Sequence, residues 1–252
     1  MSPSHAPIVD RQDALRRWYS TPPGRALLAA VQVHLDRFLP ELFGFHALQL
    51  GQVALGEDLL TSSRINHRFC MEYRPVEGHV AALPEAWPVL ADSLDLVLLM
   101  HTLELSDDPH QVMREVERTL LPEGNVIIVG FNPLSAMGLW EMLPGRRGST
   151  PWAQPCYSTG RTREWLSLLG FEVLARAYAG FTPPAGGKGL RERLGIVHGL
   201  GGRNLPYLGG AYVILARKRV STMTPMRPRW RAMRGMVPGG MAKPLCRRRD
   251  RE

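Results

Sequence analysis

Short apolar runs alternate with helical patterns along most of this chain, and that alternation constrains the fold more than any other feature of the sequence. The strand-like runs are Ala47 to Leu50, Arg68 to Tyr73, a weaker His79 to Leu83, Leu94 to Met100, Val126 to Phe131, Phe171 to Ala175 and Ala211 to Ala216. Between several of them lie helical stretches, clearest at Gln111 to Leu121 and at Arg163 to Leu169, the latter ended by Gly170. Ahead of the strands, Leu27, Leu28, Val31, Leu35, Phe38, Leu39 and Leu42 fall at the spacing of an amphipathic helix that begins near Pro22 and Pro23. Strands that alternate with helices predict an α/β fold with a largely parallel sheet. In such sheets ligands bind beyond the carboxyl ends of the strands, so the residues that follow each strand are where chemistry belongs.

Composition narrows the class. The chain has 252 residues, 44% apolar and 21% charged, which excludes a disordered or collagenous protein. The longest nearly uncharged apolar stretch, Leu94 to Met100, already contains Asp95 and is far too short to cross a bilayer. Asp10 and Asp13 interrupt the place where an export signal needs an apolar core. Cys70, Cys156 and Cys246 are widely spaced and form no CxxC pattern, so reduced thiols in a cytoplasmic protein are expected, with no metal site.

The charge is unevenly placed. Residues 217–252 carry twelve Lys or Arg against Asp250 and Glu252, whereas the rest carries 19 basic and 21 acidic residues. Pro225, Pro228, Pro238 and Pro244 with Gly235, Gly239 and Gly240 interrupt regular structure there, so 219–252 reads as a basic, disordered tail. Such a tail is a solvated appendage or a contact for nucleic acid or anionic lipid. Residues 183–206, rich in Gly and Pro, read as a long loop; their GGKG lacks the Ser or Thr and the preceding strand of a phosphate-binding loop. The expected organisation is a helical cap over 1–44, one domain over 45–218, and the tail.

From Leu94 to Pro133 the chain reads LDLVLLMHTLELSDDPHQVMREVERTLLPEGNVIIVGFNP. Asp95 opens a strand, His101 and Glu104 stand in the following turn, Asp108-Pro109 starts a helix that carries Arg114-Glu115, and Pro122-Glu123-Gly124 makes a turn. In these residues the sequence resembles the class I S-adenosylmethionine-dependent methyltransferases, in particular the type 11 group. Thr21-Pro22-Pro23-Gly24-Arg25, Phe43-Gly44-Phe45-His46 and Gly130-Phe131-Asn132-Pro133 are similar to a proteobacterial subgroup of methyltransferase-like proteins. The resemblance covers about residues 45 to 218. It implies a Rossmann-like sheet, mostly parallel with a final antiparallel strand and helices on both faces, and S-adenosylmethionine as cofactor.

Carried over position by position, the resemblance implies a cofactor site of Gln49, Gly51, Gln52, Val53, Glu72, Leu83, Met100 and His101. Three of these depart from the family pattern: Gln49 stands for a carboxylate, Val53 for a glycine and Leu83 for an Asp. Glu72, at the end of the second strand, is the residue to accept hydrogen bonds from the ribose hydroxyls, with a plain exposed Glu as the alternative. His101 is the candidate base or positioning group, with a core or capping histidine as the alternative. Asn132, Trp18 and Tyr19 are the candidate substrate contacts, against turn and packing roles. Two functions follow: methyl transfer to an acceptor, with a small molecule favoured over a macromolecule, or a scaffold that kept the fold and lost the cofactor.

Overall fold

The computed structural model describes residues 8–51, 58–73, 80–135, 138, 151, 154–180 and 209–219. Gln52, Val53, His79, the loop 183–206 and the tail beyond Arg219 lie outside the described residues.

Two helices open the chain, α1 (Ile8–Tyr19) and α2 (Pro22–Phe38). The Thr21 side chain caps α2 by accepting from the Gly24 amide, and Pro22 and Pro23 occupy the first helical turn where no amide is missed. Gly24 is required: a Cβ there would lie 2.3 Å from the Trp18 carbonyl oxygen, so only glycine lets α2 start against the end of α1.

The strands are β1 (His46–Leu50), β2 (His67–Glu72), β3 (Val80–Ala81), β4 (Leu94–Met100), β5 (Leu120–Phe131), β6 (Phe171–Ala179) and β7 (Ala211–Lys218). They form one sheet in the order β3-β2-β1-β4-β5-β7-β6. The ladders from β3 through β5 are parallel, and β7 runs antiparallel to both β5 and β6. The final strand of the chain is thus the reversed one, as expected. Both faces are covered. Leu96, Leu98 and Met100 of β4 pack with Leu27, Val31 and Leu35 of α2, whereas Val97 and Leu99 pack with Val112 and Val116 of α4 (Pro109–Thr119) and Trp165 of α5 (Thr159–Leu168). A strand buried on both faces needs the continuous apolar run that β4 has.

Three differences from the sequence reading have local causes. The Pro122-Glu123-Gly124 turn does not separate α4 from β5 but bulges within β5: Leu94 pairs with Leu120 and Leu96 with Asn125, and Glu123 takes φ 64°. The weak strand at 79–83 keeps only Val80 and Ala81, and Leu83 is in an isolated bridge with Ala86. Within the helical cap expected over 1–44, only α2 has an apolar period in the sequence, and α1 is a second helix ahead of it. Asp95 also has a clear structural task, since its Oδ2 accepts from the Phe45 and His46 amides and anchors the start of β1 on β4.

Candidate active site

Helix α1 lies across the carboxyl ends of β2 and β4, and its inward residues meet the candidate residues there. Arg16 forms an ion pair with Glu72, whose carboxylate is buried at the end of β2. Arg11 Nη2 is 2.5 Å from Asp107 Oδ1. The Tyr19 hydroxyl is 2.6 Å from His101 Nε2.

His101 follows β4 directly and is fully buried. Its backbone adopts φ 55°, ψ 21°, left-handed and uncommon for a residue with a side chain, and it caps the short helix α3 (Thr102–Leu105). That geometry turns the imidazole back over the strand ends, where it stacks on Phe131 at 3.8 Å between centroids. Its Nδ1 is 3.7 Å from Glu104 Oε1, beyond hydrogen-bond reach, and has no partner among the described residues. Glu104 Oε1 accepts from the Phe131 amide at 2.6 Å, while Oε2 is buried and unpartnered among the described residues. Burial raises the Tyr19 and Tyr212 hydroxyls well above the usual tyrosine value, and the Glu104 charge adds to both shifts. The Cys156 thiol is pushed up by the same two causes in the same order.

The loop after β1 begins at Gly51, with φ 86°. A Cβ there would fall 2.5 Å from the Met100 carbonyl oxygen, so glycine is what brings the ends of β1 and β4 together. Thr102 Oγ1 closes the same junction by donating to the Leu50 carbonyl at 2.9 Å. Gln49 is buried and spends its amide on its own loop: Oε1 accepts from Leu59 N at 3.1 Å and Nε2 donates to the Gly51 carbonyl at 3.4 Å. Met100 turns its side chain into the core and offers only its backbone to the crevice. Leu83 is 58% exposed beside the end of β3. Asn132 is buried, with Nδ2 donating to the Gly209 carbonyl at 2.9 Å and Oδ1 accepting from Leu134 N at 3.1 Å, so it ties the end of β5 to the approach of β7. Trp18 is half-buried and stands edge-on to Tyr19 and Phe131. The fold thus gathers Gly51, Glu72, His101 and Tyr19 at one crevice, places Trp18 at its edge, and gives Gln49 and Asn132 backbone-anchoring bonds.

Other polar residues join this crevice without having been singled out in the sequence. Both amide atoms of Gln12, Arg11 Nε and the Tyr73 hydroxyl are buried and lack hydrogen-bond partners among the described residues. Gln12 lies one turn before Arg16 on the same face of α1, and Tyr73 directly follows Glu72. Donors and acceptors of this kind fit a ligand rich in hydroxyl and amino-acid groups. Among the described residues no group of three His, Cys, Asp or Glu side chains is placed to hold a metal, and no helix is long and apolar enough to cross a membrane.

Residues 54–128 match the family model described as a methyltransferase domain. The protein YafS of Escherichia coli strain K12 is 32% identical over 214 residues, which span 83% of this chain and 84% of that protein. This chain belongs to the class I S-adenosylmethionine-dependent methyltransferases. S-adenosylmethionine is the cofactor that membership implies. Among solved structures, an S-adenosylmethionine-dependent methyltransferase of Thermotoga maritima superposes with a TM-score of 0.59 at 18% identity, covering 84% of this chain and 99% of that one. One from Archaeoglobus fulgidus gives 0.54 at 17% identity, covering 75% and 93%. At those identities the likeness is one of fold.

Proposed function

We propose that this chain is an active methyltransferase in which α1 closes the crevice over cofactor and acceptor. The supporting observation is the set of buried polar atoms that α1 and the strand ends enclose without partners: Gln12, Arg11 Nε and Tyr73 towards β2, His101 Nδ1 and Glu104 Oε2 towards β5. Each such group left unmet costs about 1–3 kcal/mol, a cost that a polar ligand at this position would relieve.

When bound, the cofactor supplies a methyl group already made electrophilic by its sulfonium. Glu72 accepts hydrogen bonds from the ribose hydroxyls and shares its carboxylate with Arg16. Gly51 lets the ends of β1 and β4 close up beneath the cofactor's place, and Gln12 and Tyr73 would supply further polar contacts. Gln49, engaged with its own loop, shapes that loop instead of attracting the cofactor's ammonium. His101, held by Tyr19 and stacked on Phe131, takes or positions the acceptor's proton, and the aromatic rings around it exclude water. A site this enclosed suits a small acceptor. The basic segment 219–252 adds a salt-dependent affinity for nucleic acid that its deletion removes, in a protein that works in the cytoplasm.

Calorimetric titration with S-adenosylmethionine and S-adenosylhomocysteine tests the reading, with Gly51→Arg, its folding verified by circular dichroism, as control. Micromolar binding that the variant loses is the expected result. No heat and no thermal shift up to millimolar ligand would leave a scaffold that kept the fold alone. His101→Ala should then lower turnover more than cofactor affinity, and unchanged turnover would remove His101 from the chemistry.

A further inference from the structure

We infer that the methyl acceptor is an amine with an apolar body, and that the Glu104 carboxylate holds its nitrogen. The inference rests on the methyltransferase reading above and adds the class of acceptor to it.

Glu104 is an unusual residue to bury here. It is 2% exposed at the carboxyl ends of β4 and β5, and only one of its two oxygens, Oε1, has a hydrogen-bond partner among the described residues. A buried carboxylate is costly unless a cation and further hydrogen bonds compensate it. Among the described residues, no Lys or Arg forms an ion pair with Glu104, and the nearest basic nitrogen is His101 Nδ1 at 3.7 Å. That ring nitrogen is itself buried without a partner among the described residues. Two polar atoms on neighbouring side chains, Glu104 Oε2 and His101 Nδ1, thus lack a partner among the described residues, and in the tautomer whose Nε2–H donates to the Tyr19 hydroxyl both are acceptors for one donor.

The surroundings select what that donor is. Tyr19 and Tyr212 have hydroxyls driven up by burial and by the Glu104 charge, so they stay neutral and contribute no compensating charge of their own. Phe131 stacks on His101, and Trp18 stands edge-on to both Tyr19 and Phe131. A single buried carboxylate with aromatic rings for neighbours favours a cationic nitrogen over a neutral hydroxyl, through charge-assisted hydrogen bonding and the faces of the rings. It also disfavours carboxylate and phosphate acceptors, which would place a second negative charge beside the first. Gly130 is what makes room for the arrangement: a Cβ there would lie 2.4 Å from the Tyr212 hydroxyl oxygen and 2.8 Å from Glu104 Oε1. A primary ammonium must shed one proton before its nitrogen can be methylated. His101 Nδ1 is the base at hand for it and passes that proton to solvent when the site opens.

The test uses the full chain saturated with S-adenosylhomocysteine and the probes 2-phenylethylamine and n-hexylamine against their neutral counterparts 2-phenylethanol and hexanol, followed by calorimetry. At least one amine should bind tenfold or more tighter than its alcohol, and Glu104→Gln should abolish that preference with S-adenosylhomocysteine still bound. Equal binding of amine and alcohol, no binding of either, or a preference that survives Glu104→Gln overturns the inference. If the variant does not fold, the wild-type ratio of amine to alcohol decides alone. Absence of heat with S-adenosylhomocysteine itself would instead overturn the methyltransferase reading, and this inference with it.

Discussion

Arg16 on the first helix is paired with Glu72 at the end of the second strand, 56 residues further along the chain. The Glu72 carboxylate is fully shielded from solvent and the Arg16 side chain is 15% exposed, so the pair is largely buried. Arg16→Ala takes a cation away from a buried carboxylate and should cost about 3 kcal/mol of stability. Urea denaturation measures it, and Arg16→Lys should recover only part, because one ammonium cannot reproduce a planar guanidinium.

Gly51 tests the junction of β1 and β4. Its φ of 86° and the 2.5 Å from a built Cβ to the Met100 carbonyl oxygen mean that Gly51→Ala must both strain the backbone and push the strand ends apart. The conformational part alone is about 1 kcal/mol. A lower Tm and a loss of S-adenosylhomocysteine heat larger than the loss of stability are expected together. Retention of full affinity would show that the loop tolerates a wider opening.

His34 gives stability a pH dependence of definite sign. Its ring lies on α2 with Nε2 3.3 Å from the Tyr178 carbonyl, and burial, aided by the Arg37 charge, lowers its pKa from the ordinary histidine value. Between the lowered folded value and about 6.5 the unfolded chain binds more protons, so stability rises with pH in that window. The contribution is complete above about 6.5 and is lost as pH falls through the folded value. Calorimetric Tm at pH 7.5 and pH 5.5 should show a smaller drop for His34→Gln than for the wild type.

The fold was legible where one physical signal dominated. Leu94–Met100 forms a strand with those very limits, because burial on both faces demands an unbroken apolar run. Asp108 caps α4 by accepting from the Gln111 amide at 3.0 Å, as its place before Pro109 implies. Helix α1 escaped notice because the residues it buries include Arg11 and Gln12 beside Leu15 and Tyr19, which leaves no apolar period to see. For the candidate site, the sequence locates positions and not surroundings. His101 and Glu72 stand at strand ends that the pattern locates, but Arg16, Gln12 and the open valence of Glu104 depend on a helix docking far from its place in the sequence. Gln49 shows the converse: its departure from a carboxylate is visible in the sequence, whereas its bonds to Leu59 and Gly51 appear only in three dimensions.

The docking of α1 has a consequence for the order in which the molecule is made. Arg11, Arg16 and Tyr19 leave the ribosome before their partners, Glu72 at the end of β2, His101 just after β4 and Asp107 between α3 and α4. Until those partners are made and placed, α1 has none of these side-chain bonds to form. Contacts so distant in sequence form late, because the loop entropy between them is lost before they contribute anything. The first helix is thus held by partners 56 to 96 residues away in sequence, so what fixes it over the strand ends is the completed sheet and not its own segment.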